Sequence, residues 1–80
     1  MESESTPELL RMARIAGLPA KGAYTLREVA RASGTSYTTL YEDAVAGRLQ
    51  TFLPPGRTRG RLVKPEWFEE WWKEGMENAG

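Results

Sequence analysis

The fold prediction starts from Tyr24–Arg61, which reads YTLREVARASGTSYTTLYEDAVAGRLQTFLPPGRTRGR. This stretch predicts a helix, a tight turn, a second helix and then a hairpin with arginines at its tip. Two short helices joined by a turn can place one of them in the DNA major groove. Guanidinium groups on a hairpin can hold the neighbouring phosphates. The stretch therefore predicts a small domain that binds duplex DNA.

Both central helices carry their own start and stop signals. Thr25 and Glu28 match a capping box, in which each side chain satisfies a free amide at the start of a helix. Gly34 supplies the positive φ that a sharp turn requires, Ser36 caps the second helix, and Gly47 ends it. These signals predict one helix that runs from residue 26 to about residue 32 and another over residues 37–46.

Weaker signals place the remaining elements. Thr6 followed by Pro7 predicts an N-cap and a proline at the first helical position. A stripe of four aromatic side chains, which includes Phe68, predicts that the last helix packs on the core, with one exposed aromatic at a protein interface as the alternative. The predicted elements are a helix over Pro7–Ala16, a short strand at Ala23–Tyr24, hairpin strands over Leu49–Leu53 and Gly60–Val63, and a last helix from Pro65.

These elements together predict the fold class. The chain is expected to be mainly α with a small two-stranded antiparallel β wing, which is a winged helix-turn-helix with an extra N-terminal helix. Eighty residues allow one modest core. We expect a disordered tail over residues 1–5, the N-terminal helix and its connector over residues 6–22, and the winged helix-turn-helix domain over residues 23–77.

Charge is unevenly distributed along the chain, although the net charge is zero. Residues 21–64 contain eight basic and three acidic side chains, a net +5, whereas residues 1–20 carry −1 and residues 65–80 carry −4. A basic centre between acidic ends favours docking on phosphate more than the zero sum indicates. A mixed solvated surface with no partner is the alternative.

Several function classes are disfavoured by composition. The chain contains no histidine and no cysteine, so it lacks the usual general base, the commonest metal ligand and any thiolate. We therefore expect no enzyme, no metal and no cofactor. The acidic N-terminus has neither the basic nor the apolar region of a signal peptide, and no apolar stretch has the length of a membrane span. A cytoplasmic protein with no membrane partner is expected.

Three arginines of the hairpin have the spacing of a shared face. Arg57, Arg59 and Arg61 alternate along a predicted extended strand, so their side chains should project in the same direction. Three guanidinium groups on one side of a loop have little structural purpose in a monomer. They are therefore predicted to contact phosphates.

The tyrosines of the second helix allow two readings. Tyr37 and Tyr41 fall on one helical face with Leu40 and Ala44, so either ring closes the core or contacts DNA. Other exposed positions on this helix are expected opposite Leu40, at Thr38 and Glu42.

The order of these motifs resembles a known family. The motifs are Tyr24–Ala30 (YTLREVA), Gly34–Ser36 (GTS), Thr39–Tyr41 (TLY) and Gly47–Leu49 (GRL), followed by the basic hairpin and a tryptophan-bearing helix. The chain resembles the excisionase-like winged-helix domains, which are related to the MerR DNA-binding head. It is also similar to the winged domain of phage terminase small subunits. The resemblance covers Tyr24 to about Lys73.

The resemblance implies that the second helix enters the major groove and that the wing lies on the minor groove or backbone. By position, the DNA-facing residues would be Ser36, Tyr37, Thr38, Tyr41 and Glu42, the wing residues Arg57, Arg59 and Arg61, and the additional phosphate contact Arg27. The chain departs from the family pattern because no basic residue lies between Ser36 and Gly47, where Glu42 and Asp43 are acidic. Affinity is therefore expected to depend on the wing and the flanking arginines.

The implied function is binding of double-stranded DNA by an excisionase-like accessory factor, which bends DNA near a recombination site and directs an integrase toward excision. The implied partners are DNA, an integrase or recombinase, and another copy on DNA. A small transcriptional regulator is the nearest alternative. A packaging protein like a terminase small subunit and a protein-interaction module that no longer binds DNA are the others.

Overall fold

The computed structural model describes residues 7–78 and contains four helices and two short strands. It confirms a mainly helical chain with a small two-stranded antiparallel sheet. The prediction of a tail over residues 1–5 falls outside the described residues. The prediction of an N-cap at Thr6 with Pro7 as the first helical residue is wrong, because Pro7 itself is the N-cap of the first helix and has a non-helical ψ of 146°. The elements in chain order are α1 (Glu8–Ile15), β1 (Tyr24–Thr25), α2 (Leu26–Ser33), α3 (Tyr37–Ala46), β2 (Leu62–Val63) and α4 (Pro65–Asn78).

The caps of α2 and α3 are those that the sequence predicts. The Thr25 hydroxyl accepts the Glu28 backbone N–H at 3.1 Å, and the Glu28 carboxylate accepts the Thr25 backbone N–H at 3.0 Å. Gly34 follows α2 with a φ of 79°, and Gly47 follows α3 with a φ of 85°. α3 has the predicted bounds, residues 37–46. The prediction is accurate because capping interactions involve only neighbouring residues.

The sheet differs from the predicted hairpin. β1 pairs with β2 in antiparallel register, with Tyr24 opposite Val63. The predicted strand over Leu49–Leu53 is wrong: it is reduced to one bridge, in which Phe52 and Leu62 exchange two backbone hydrogen bonds of 2.8 Å. Pro54 ends this ladder at once because proline has no N–H to donate. The predicted partner strand is correspondingly shortened to Leu62–Val63.

The N-terminal helix is part of the same core. α1 packs against both α2 and α4, and its Leu9 and Ala13 are completely buried. The helix is one residue shorter at each end than the predicted Pro7–Ala16, and Ala16 is its C-cap. Gly17 comes next with a φ of 83°, as expected for the residue that closes a helix. The buried side chains of α1 therefore fill the space between α2 and α4.

Every element contributes at least one buried side chain. Phe68 of α4 is fully buried, and its ring centroid lies 5.4 Å from the ring centroid of Trp72. Trp67, Trp71 and Trp72 are partly buried against the core, so the aromatic stripe packs as predicted. The buried hydrophobic residues are Leu9, Ala13, Tyr24, Leu26, Val29, Leu40, Ala44, Leu49, Val63 and Phe68.

Within residues 7–78, no helix has both the length and the apolar character that crossing a membrane requires.

Candidate nucleic-acid interface

A groove of about 530 Å³ lies between α3, the beginning of α2 and the loop that precedes β2. We call it the tyrosine–arginine groove. Every charged side chain that lines it is an arginine, so the groove has a formal charge of +3. Its lining residues are Thr25, Leu26, Arg27, Tyr37, Tyr41, Thr58, Arg59, Gly60 and Arg61.

Two exposed tyrosines form one wall of the groove. Tyr37 and Tyr41 lie one helical turn apart on α3, and their ring centroids are 6.2 Å apart with an interplanar angle of 19°. Their exposed fractions are 41% and 47%, whereas Leu40 and Ala44 of the same helix fill the core. The reading in which a tyrosine closes the core is therefore wrong for both.

Arg27 joins α2 to this wall. It is the second residue of α2, and its guanidinium carbon lies 5.1 Å from the centroid of the Tyr37 ring. A guanidinium at this distance over an aromatic face is attracted by the ring quadrupole. The contact holds a positive charge beside the exposed face of α3.

The opposite wall belongs to the loop over residues 53–61, which the Phe52–Leu62 bridge closes. We call it the arginine loop. Arg59 is exposed, and Arg61 is half-buried and donates to the Thr51 hydroxyl at 3.3 Å. The predicted alternation along a strand is wrong, because residues 57–61 are not extended in a ladder and Gly60 turns the chain with a φ of 94°. Arg57 is exposed on the same loop but does not line the groove.

Three other predicted residues lie on or beside α3 without lining the groove. The Ser36 hydroxyl accepts the Thr39 backbone N–H at 3.1 Å and donates to the Thr39 hydroxyl at 2.9 Å, so it caps the helix. Thr38 and Glu42 are exposed one turn apart on α3. The structure thus brings together five of the predicted residues, namely Arg27, Tyr37, Tyr41, Arg59 and Arg61.

Asp43, the second acidic residue of α3, is bound to other side chains. One carboxylate oxygen accepts from Nε and Nη2 of Arg48 at 3.0 and 2.8 Å, and the other accepts from Nε1 of Trp71 at 2.7 Å. Arg48 first and Trp71 second hold the pKa of Asp43 below its ordinary value. At about 100° per residue, Asp43 lies about 200° around α3 from Tyr41. Its charge is therefore neutralised and faces away from the groove.

No sequence signal identified this interaction. Trp71 lies 28 residues after Asp43, and no local spacing rule connects positions so far apart. The groove residues Thr58 and Gly60 were likewise missed, because only the path of the arginine loop brings them to the tyrosines.

Glu28, at the start of α2, is also neutralised by neighbours. The Lys21 ammonium donates to its carboxylate at 2.6 Å, and the Thr25 backbone N–H donates to the other oxygen. These two hydrogen bonds, Lys21 first, lower the pKa of Glu28. The carboxylate adjacent to the groove-lining residue Thr25 is thus already paired with a cation.

In the part of the chain that the structure describes, a metal ion would have to be held by several side chains together. Residues 7–78 contain no group of three or more His, Cys, Asp or Glu side chains placed to hold a metal ion.

No protein-family model matches the chain, and searches of curated proteins and of solved structures find no significant similarity. The proposals below therefore depend on the geometry of the groove and on the motifs quoted above.

Proposed function

We propose that this chain binds duplex DNA as a winged helix-turn-helix domain. In this proposal α3 lies in the major groove, and the arginine loop acts as the wing on the adjacent backbone. The observation that carries the proposal is the convergence of Arg27, Arg59 and Arg61, from two separate segments, around the exposed tyrosines of α3.

The charge of the groove supports a polyanionic ligand. Duplex DNA carries one negative charge per about 1.7 Å of helix axis, so three nearby guanidinium groups can each neutralise a phosphate. Guanidinium and phosphate groups pair with bidentate geometry, which also orients the protein on the backbone. Arg61 is half-buried and donates one hydrogen bond to Thr51, so less rotamer entropy is lost when it binds.

The acidic residues of α3 oppose this proposal less than the sequence indicates. Asp43 is paired with Arg48 and bonded to Trp71 on the far side of the helix. Glu42 is then the one acidic side chain on the exposed surface of α3. A carboxylate there can accept a hydrogen bond from cytosine N4, while Thr38 and the tyrosines can contact bases or sugars.

The biological role follows from the resemblance to excisionase-like domains and is part of the proposal. An accessory factor of recombination and a small transcriptional regulator would both use the same DNA-binding surface. Binding to DNA is therefore the property to test first.

Fluorescence anisotropy with a random-sequence duplex at several salt concentrations provides the test. We expect binding that weakens with salt. The variant Arg59→Ala/Arg61→Ala should bind more weakly, and its log–log salt slope should be shallower by about 1.8, because each phosphate contact contributes about 0.9. Adding Arg57→Ala should reduce the slope by about 0.9 more if that side chain also reaches a phosphate.

A matched control separates local contacts from net charge. Arg11→Ala/Arg14→Ala removes the same charge from α1, whose arginines line no part of the groove. This control should leave the salt slope within about 0.5 of the parent chain, because no phosphate contact is lost. Equal losses in both double variants would contradict the proposed wing, and no binding at low salt would exclude DNA as the ligand.

A further inference from the structure

A second cleft, of about 400 Å³, lies between the end of α3 and the last turns of α4. Trp71, Trp72 and Met76 line it, and so does the Asp43–Arg48 ion pair. We call it the acidic cleft, because Glu74 also lines it and α4 is rich in glutamate. It shares no lining residue with the tyrosine–arginine groove.

The cleft forms where the last turns of α4 extend past the side chains of the other elements that pack on the helix. Gly75 has no side chain there, and no atom lies within 4 Å of the position that a Cβ would occupy. Met76 is 63% exposed. The last described turns of α4 thus present an apolar surface that no element of residues 7–78 covers.

The charges around the cleft select the kind of occupant. Residues 65–76 of α4 carry four glutamates and one lysine. Glu70 and Glu74 lie one turn apart on this helix, and both are exposed. Both oxygens of Asp43 are already bonded within the protein. The carboxylates that remain available would attract a basic segment.

Two occupants from the same sequence fit these charges poorly. Residues 1–6 contain Glu2 and Glu4 and no basic side chain, so the acidic surface of α4 would repel them. A symmetric dimer through α4 would bring the same patch against itself, which places glutamates opposite glutamates. A different protein with positive charge is the better match.

We propose that the acidic cleft binds a basic amphipathic segment of a partner protein. One apolar side chain of that segment would enter between Trp72 and Met76, while its lysines or arginines pair with Glu70 and Glu74. Many protein–peptide interfaces are built in this way: an apolar side chain buried in a pocket supplies most of the affinity, and charged pairs surround it.

The cleft and the groove can be occupied at the same time. Asp43 lines the cleft and Tyr41 lines the groove. These two positions are about 200° apart around α3, so the two sites lie on different sides of the helix. The proposal goes beyond the proposed DNA binding and does not depend on it, because its charges and apolar walls are different residues.

The test uses the full chain labelled with ¹⁵N and a synthetic probe peptide. The probe has about twelve residues, or three helical turns, with leucines at helical spacing and lysines elsewhere. We expect the indole N–H signals of Trp71 and Trp72 to shift on titration. Trp67 does not line the cleft, so its signal is an internal reference that should not move. A second peptide with glutamates in place of lysines should bind at least about tenfold more weakly, since several charge pairs become repulsive.

Two matched variants locate the site. Met76→Lys changes a cleft-lining residue that is 63% exposed, so folding should be unaffected, and affinity for the lysine peptide should fall about tenfold through lost apolar contact and added repulsion. Ile15→Lys places the same charge on α1, where Ile15 is 87% exposed, and should leave affinity unchanged. The proposal is overturned if the peptide shifts neither Trp71 nor Trp72, or if both variants bind it alike. It is also overturned if those signals shift with protein concentration alone, since a second copy would then occupy the cleft.

Discussion

Replacing Asp43 by alanine should destabilise the protein by about 2–3 kcal/mol, because this carboxylate connects α3 to α4. Its bond from Trp71 Nε1 is 2.7 Å long, and the Asp43 side chain is 19% exposed. A hydrogen bond to such a charged group contributes about 1.5–3 kcal/mol. The pair with Arg48, whose side chain is 63% exposed, is screened by water and contributes less than this hydrogen bond.

Two further variants separate these contributions. Arg48→Ala removes only the exposed ion pair and should destabilise the protein clearly less than Asp43→Ala does. Asp43→Asn keeps an acceptor for Trp71 but removes the charge, so its cost should lie between those of Arg48→Ala and Asp43→Ala. A loss of about 2 kcal/mol would lower Tm by about 8–16 °C in a domain of this size.

The contribution of Asp43 should also depend on pH. Its pKa in the folded protein lies below the ordinary value of 3.8, chiefly because of Arg48. A carboxylate whose pKa is lowered by folding stabilises the protein at pH values above its ordinary pKa. This stabilisation is lost as the pH falls through the pKa of the folded state. The difference in stability between the parent chain and Asp43→Asn should therefore be constant near neutrality and shrink below pH 3.8.

Urea unfolding followed by far-UV circular dichroism measures these free energies without relying on tryptophan emission. The reasoning would be refuted if Asp43→Ala unfolded within about 0.5 kcal/mol of the parent chain, the range of ordinary surface substitutions. It would also be refuted if Arg48→Ala cost as much as Asp43→Ala, since the bond to Trp71 would then contribute nothing.

Three other substitutions test separate features. Thr25→Ala removes the capping box of α2 and should cost about 1 kcal/mol by urea unfolding; an unchanged midpoint would contradict the role of the cap. Tyr24→Phe removes a hydroxyl that donates to the Pro19 carbonyl at 2.8 Å and should cost about 1 kcal/mol, with no change in the shape of the circular dichroism spectrum. Glu42→Gln should strengthen binding to a random duplex about twofold at low salt, since a charge about 8 Å from a phosphate in water costs about 0.5 kcal/mol. Glu66→Gln on α4 is the control for charge alone, and an equal gain there would place α3 away from the DNA.

The predictions for α2 and α3, which rest on neighbouring residues, agree with the structure. The capping box at Thr25, the turn at Gly34 and the bounds of α3 involve contacts within a few residues. Such interactions are set by side-chain chemistry and backbone conformation, so a local pattern is sufficient to place them. The same holds for Phe68 and the other apolar side chains whose helical spacing marked the inward face.

Predictions about the hairpin were less accurate because strand pairing is not local. Residues 49–53 have a strand-like composition, yet β2 pairs with β1 instead, and Pro54 stops the competing ladder after one bridge. The same change of path removed the expected alternation of the arginines, so that Arg59 and Arg61 line the groove while Arg57 does not.

By itself, the sequence determined where α2 and α3 begin and end, which side chains are apolar enough to form the core, and that histidine and cysteine chemistry is absent. Only the tertiary structure decided which charges remain available. It turned Asp43 toward Trp71, placed Arg27 over Tyr37, and folded the arginine loop onto the exposed face of α3. The physical reason is that caps and helical stripes depend on neighbours within a turn or two, whereas a charged surface is assembled from segments that meet only when the core has formed.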